Sequence, residues 1–285
     1  MVIALLLLGA QYVVLIGILV AAGIGVVAVA VIAAVVLLVQ YFSCERITLA
    51  ALRAREVDAG RAPELHAITQ RLCVDANLPM PRLAIVDSVM PDAFTVGRTP
   101  STATVCVTTA LAALLDDDEL EAVLAHELTH IITRDVMVMT IGGCNAAIAA
   151  FIARVRRPFA GHDEDDDEDD APAWFLAVIV SGLVFMLSYV PVQAVSRHRE
   201  FVADRGSAAL TGDPGALRSA LERISALAEQ IPQRDLRRFP GEVGPLGIVA
   251  PDIEATVATL FSTHPPLPAR MAALAQLESQ LPVAA

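Results

Sequence analysis

Residues 117–135 read DDELEAVLAHELTHIITRD, and the fold turns on how this stretch is wound. Asp116, Asp117 and Asp118 lead into it, and acids in a first turn favour a helix start through capping and the macrodipole. Val123, Leu124, Leu128, Ile131 and Ile132 surround the His-Glu-Leu-Thr-His core of the stretch with apolar side chains. On such a helix His126 and His130, four residues apart, lie one above the other on one face. Two imidazoles so placed can each aim a nitrogen at a single zinc ion, at about 2.0–2.1 Å. Glu127 is rotated by about 100° from His126, so it need not ligate and can serve as general base toward a water at the ion.

Zinc with catalytic work to do takes three protein ligands and keeps a fourth position open. Downstream, EFVAD offers Glu200 and Asp204, again four apart and on one helical face. Glu200 is the natural third ligand, and Asp204 the carboxylate that orients an imidazole N–H, with exposed acids on a juxtamembrane helix rich in arginine (Arg197, Arg199, Arg205) as the competing reading. Asp135 is a second candidate for that orienting role, with a salt bridge to Arg134 or Arg199 as the competing reading.

Outward from these motifs, the 285-residue chain is 55% hydrophobic and only 18% charged, a balance that points to the membrane class. Met1 to Phe42 carries no charged side chain. One span needs about 20 residues, so this stretch reads as two spans turning near Gly23 and Gly25, or as one long tilted helix. It is too long, and lacks the basic start, for a signal peptide. Val136 to Ala153 and Trp174 to Ala194 are two further apolar stretches. The expected organisation is therefore two N-terminal spans over 1–42, a catalytic part over 43–135, a third span over 136–154, a loop over 155–172, a fourth span over 173–195, and a second catalytic part over 196–285.

The net charge of −12 is concentrated in one place, since eight consecutive acids run from Asp163 to Asp170. Such a block reads as a solvated loop. No basic patch with interleaved aromatics argues for nucleic acid. Cys44, Cys73, Cys106 and Cys144 are scattered without a CxxC pair and read as small buried hydrophobes in a reducing setting. In the polar blocks, the spacing predicts a helix over 63–76, strands over 82–86 and 104–108, a helix over 213–230 and a final helix after THPPLP.

Several stretches together resemble the HtpX family of membrane zinc metallopeptidases, relatives of the CAAX prenyl proteases. They are PELHAITQRLCVDANLPMPRLAIVD, PDAFTVGR, ATVCVTTALAALL, DDELEAVLAHELTHI, SRHREFVADRGSAALTG and FSTHPPLPAR. The resemblance implies a mainly α integral membrane protein, with a helical zincin-like catalytic domain and a small β-sheet on about four transmembrane helices. It implies one zinc per chain held by His126, His130 and Glu200, with Glu127 as base. It also implies endoproteolysis of misfolded or membrane polypeptides at the cytoplasmic face of the bacterial inner membrane. On the THPPLPAR motif it carries over a catalytic role for His264, as an oxyanion donor, and for Arg270 beside the zinc. It further offers the strand over 104–108 as a pairing edge for an extended substrate. Asp92 stands where the family usually has Asn, and Pro268 where it commonly has Glu; neither touches a proposed ligand.

Because His126, His130 and Glu200 must meet at one ion, the chain between them leaves and returns on one membrane face. Arg46, Arg53, Arg55, Arg61, Arg197, Arg199 and Arg205 place that face inside by the positive-inside rule, against Arg154, Arg156 and Arg157. The rival readings are an inactive membrane scaffold, which the retained Glu127 disfavours, and a metal-binding transporter-like protein. The latter should bury ionisable groups within its spans, and the three apolar stretches contain none.

Overall fold

The computed structural model describes residues 25–137, 198–231 and 267–280, together with 17 and 140. The acidic run, His264, Cys144 and almost all of the two later apolar stretches lie outside the described residues. The first helix, α1 (Val26–Ala51), takes up the second half of the N-terminal apolar stretch. Its Val27, Val31, Val35, Leu38 and Phe42 are exposed. Among the described residues, no helix is long and apolar enough to cross a membrane; several side chains of α1 fall outside that set.

The chain divides into two compact units, one of residues 1–44, 141–195 and 245–262, the other of residues 45–140, 196–244 and 263–285. The second unit holds a four-stranded sheet of β1 (Arg55–Glu56), β2 (Arg82–Val86), β3 (Ala93–Val96) and β4 (Thr104–Thr108), in the order β1-β2-β4-β3. β2 and β4 run parallel, and β1 and β3 pair antiparallel on either side. Its helices are α2 (Pro63–Asp75), α3 (Thr109–Leu114), α4 (Asp117–Ile132), α5 (198–211), α6 (Pro214–Gln230) and α7 (Leu267–Gln280).

α4 is the central element. It begins where the acids require: Asp116 caps it by accepting from the Glu119 backbone N–H at 3.0 Å, and the Glu119 carboxylate accepts from the Asp116 N–H at 3.2 Å. A cap of this kind contributes about 0.5–2 kcal/mol. From Ala122 to Ile131 every residue of α4 is buried. Leu124, Leu128 and Ile131 pack with Leu72 of α2, Leu83, Val105 and Val107 of the sheet, Leu217 of α6 and Leu274 of α7. Each such side chain contributes about 1.5–3 kcal/mol on burial. The opposite sheet face packs Ala84, Val86, Val96 and Cys106 with Leu49 and Phe94.

All five residues of β4 are buried and both its edges are paired. It therefore has no free edge for a substrate, which corrects the expectation placed on residues 104–108. Among the described residues, β3 pairs on one side only.

Candidate metal centre

α4 and α5 carry the site, and the contact between them sets its dimensions. The Ser207 hydroxyl on α5 donates to the Ala122 carbonyl at 2.6 Å. Next to it, Gly206 lies directly against Thr129 of α4: a Cβ added there would fall 2.9 Å from Thr129 Cβ and nearer still to both γ atoms. Only a glycine permits so close an approach of two helices. Thr129 is itself held, its hydroxyl donating to the Ala125 carbonyl at 2.8 Å.

At this crossing Glu200 comes between the two imidazoles. His126 Nε2 lies 3.5 Å from Glu200 Oε2, and His130 Nε2 lies 3.5 Å from Glu200 Oε1. The three side chains offer ligand atoms all within 4.8 Å of one another, and all three are buried. Zinc bonds of about 2.0–2.2 Å in a tetrahedral set subtend donor separations of roughly 3.3–3.6 Å. The two 3.5 Å spacings fit that edge length and are too long for good hydrogen bonds, so the donor set suits a shared ion.

The other ring nitrogens face carboxylates. His126 Nδ1 is 3.0 Å from Asp204 Oδ1, and His130 Nδ1 is 3.7 Å from Asp135 Oδ2. A proton placed on each Nδ1 would face a carboxylate and leave the Nε2 lone pair for an ion shared with Glu200. Each carboxylate in turn has an arginine. Arg270 donates to Asp204 through Nε at 2.9 Å and Nη2 at 2.5 Å, and its Nη1 is 3.3 Å from Glu200 Oε2. Arg199 Nη1 is 3.1 Å from Asp135 Oδ1. Asp135 thus lies between its two candidate partners, with one oxygen on the His130 side and the other on Arg199.

These groups hold one another's charge. Burial alone would lower the pKa of His126, but the neighbouring Asp204 and Glu200 carboxylates leave it raised. His130 follows the same pattern: burial pulls down, while Asp135, Glu200 and the Glu127 charge carry it up to about 10. Asp204, which burial would raise, is held below the usual carboxylate range by His126 and Arg270. Asp135 is likewise lowered, by His130, Thr133 and Arg199 against the effect of burial. A cluster with this much buried carboxylate draws positive charge to the imidazoles, and a divalent cation meets the same demand.

Glu127 stands beside the set, buried, and accepts from the Thr95 hydroxyl of β3 at 2.8 Å. Thr95 was not singled out in the sequence, and neither were Gly206 or Ser207. The one available signal was a glycine inside a helical pattern, which usually has a packing reason. Of the sequence-derived candidates, His126, Glu127, His130, Asp135, Glu200, Asp204 and Arg270 share this one neighbourhood. His264 lies outside the described residues.

Comparison with known proteins bears on this site. Residues 59–278 match the family described as Peptidase family M48. The chain is 42% identical over 286 residues to "Protease HtpX homolog" of Moorella thermoacetica, covering 99% of this chain and 94% of that one. It is 38% identical over 281 residues to "Protease HtpX homolog 1" of Streptomyces coelicolor, covering 98% and 92%. Among solved structures, the crystal structure of S. mikatae Ste24p aligns with a TM-score of 0.51 at 17% identity, over 93% of this chain. The chain spans 62% of that protein's length, and at this identity the likeness speaks for the fold alone.

Proposed function

The chain belongs to peptidase family M48, and from that premise we propose that it is a membrane-bound, zinc-dependent endopeptidase of misfolded or membrane polypeptides. The observation that carries the metal reading is the pair of 3.5 Å spacings from His126 Nε2 and His130 Nε2 to the two oxygens of Glu200. His126, His130 and Glu200 would hold one zinc per chain. Bound there, zinc would lower the pKa of a water toward 7 and polarise a carbonyl oxygen.

The remaining steps belong to the protein. Thr95 occupies Glu127 Oε2, which leaves Oε1 to take the water proton and later to return it to the leaving amine. A substrate strand laid along the outer edge of β3 would run beside Thr95 and so beside the base. Arg270 acts through Asp204 and Glu200, the two carboxylates its guanidinium meets. His264 is proposed as the donor to the oxyanion.

Membrane attachment is supported by the three apolar stretches and by the exposed valines of α1, since apolar side chains displayed in a row need an apolar surrounding. On this reading the two segments between His130 and Glu200 both span, and the arginine distribution puts the site at the cytoplasmic face of a bacterial plasma membrane.

Purified protein should contain about one zinc per chain and digest casein, and a chelator should stop the digestion. Glu127→Gln should keep its zinc and lose proteolysis by about 10²–10⁴-fold, because Gln cannot accept the proton. Near-normal turnover by zinc-loaded Glu127→Gln would sink the mechanism. Undiminished zinc in a His126→Ala, His130→Ala double variant would remove the metal assignment.

A further inference from the structure

We propose that Arg199 is a positioning residue for the metal centre, holding the Asp135 carboxylate to the back of the His130 imidazole and locking the Glu200 helix to the His130 helix. The inference rests on the zinc reading above, because the ring that Asp135 faces is one of the proposed ligands.

The local backbone explains why Asp135 is there at all. α4 ends in a left-handed turn, with Arg134 at φ 59. The Arg134 N–H donates to the Ile131 carbonyl at 3.1 Å, and the Asp135 N–H to the His130 carbonyl at 3.0 Å. This pair of bonds is the Schellman arrangement, and it folds Asp135 back over the last turn of its own helix. The Thr133 hydroxyl then donates to Asp135 Oδ2 at 2.7 Å, the oxygen that lies 3.7 Å from His130 Nδ1.

A separation of 3.7 Å is too long for a good hydrogen bond, so the imidazole alone does not hold this carboxylate. Thr133 steadies that oxygen, and the cation of Arg199 neutralises the carboxylate from the other and ties it to α5. Arg199 is 8% exposed and Asp135 4%, and Arg199 Nη1 is 3.1 Å from Oδ1. A carboxylate buried this deeply needs a paired charge to stay in place. Arg199 also precedes Glu200 in the chain. One residue of α5 thus offers a ligand between the two imidazoles, while its neighbour grips the carboxylate behind one of them. His126 is backed in the same manner by Asp204 and Arg270. Without Arg199, Asp135 would turn away from His130 and the first turn of α5 would lose its tie to α4.

The test uses full-length protein with Arg199→Met, Arg199→Lys, Asp135→Asn and the Asp135→Asn/Arg199→Met double variant. Two readouts are independent of turnover: the rate of zinc transfer to a chromophoric chelator, and the visible absorption of the cobalt-substituted site. Arg199→Met should release zinc faster, by up to the about 10- to 100-fold affinity loss that removal of an outer-shell partner brings, with displaced cobalt bands. Arg199→Lys keeps the charge without the planar fork and should fall between wild type and Met; it also carries the test if the Met variant fails to fold. The double variant should be no worse than Arg199→Met alone, because both changes break one chain of contacts. Wild-type release and an unshifted spectrum in the Arg199 variants, or losses that multiply in the double variant, would overturn the assignment. Wild-type protein without zinc would overturn the metal reading itself, which separates the two failures.

Discussion

Replacing Gly206 by Ala sets two effects of opposite sign against each other. Gly206 sits inside helix α5, where Ala is favoured over Gly by about 0.8–1 kcal/mol, so propensity alone predicts a more stable protein. The helix crossing predicts the reverse. The new methyl would lie 2.9 Å from Thr129 Cβ and closer to its γ atoms, whereas carbons rest about 3.5–4.0 Å apart. Either α5 retreats by roughly 1 Å, or Thr129 leaves the rotamer that lets it donate to the Ala125 carbonyl. Overpacking of this order costs about 1–3 kcal/mol, which outweighs the propensity gain. The retreat would carry Glu200 with it, and the 3.5 Å spacings to the imidazoles would open beyond what one ion spans. A misplacement of about 1 Å can lower turnover by about 10²-fold. Gly206→Ala should therefore show weaker zinc retention against a chelator and a fall of that order in casein digestion. Thr129→Gly in the same chain removes the opposing atoms and should restore both, at a helix-propensity cost of only about 0.3 kcal/mol relative to Thr. Full activity and tight zinc in Gly206→Ala alone, or no recovery in the double variant, would refute the close crossing.

Two further outcomes test the structure away from the metal. Arg134 is exposed and holds φ 59 at the end of α4, a left-handed position that glycine adopts without strain. Arg134→Gly should raise stability by about 0.5–1 kcal/mol with zinc retention unchanged, and a lowered melting temperature would count against the turn. Burial pushes the Cys73 thiol up to about 11, and burial followed by the Glu127 charge pushes Cys106 up to about 12. At pH 8 no more than about one in 10³ of either should be thiolate, so iodoacetamide should modify them only after denaturation. Both folded values lie above the ordinary thiol value, so their stabilising contribution is whole below about pH 9. It is lost as pH rises through about 11–12, and rapid labelling at pH 8 would contradict the burial.

What the sequence made legible follows the range of the interactions involved. His126, Glu127 and His130 are one turn of one helix, and the acids Asp116 to Asp118 lie at its start, so period, spacing and first-turn charge were enough to read them; the pairing of Asp116 with Glu119 as a capping box came from the structure. Glu200 and Asp204 were readable for the same reason, as a pair on one helical face. The features that escaped are set by what stands opposite. β3 is four residues long, too short to declare an alternation, yet it supplies Thr95 to the base. β4 has the composition of an exposed pairing strand or of a central one; hydrogen bonds to β2 and β3 decide between them, and neither neighbour is written into TVCVT. Gly206 is a packing surface only because Thr129 faces it.

Asp135 shows the limit most clearly. Its partner was posed as a choice between an imidazole and an arginine, but a buried carboxylate has two oxygens to satisfy. Burial itself made a single partner insufficient: Oδ2 faces His130 and accepts from Thr133 while Oδ1 meets Arg199. Asp204 obeys the same requirement, with His126 near Oδ1 and Arg270 donating to both oxygens. Wherever a sequence places an acid near a candidate ligand and a basic residue on the returning helix, burial therefore favours both contacts at once, and the arginine becomes part of the site's support.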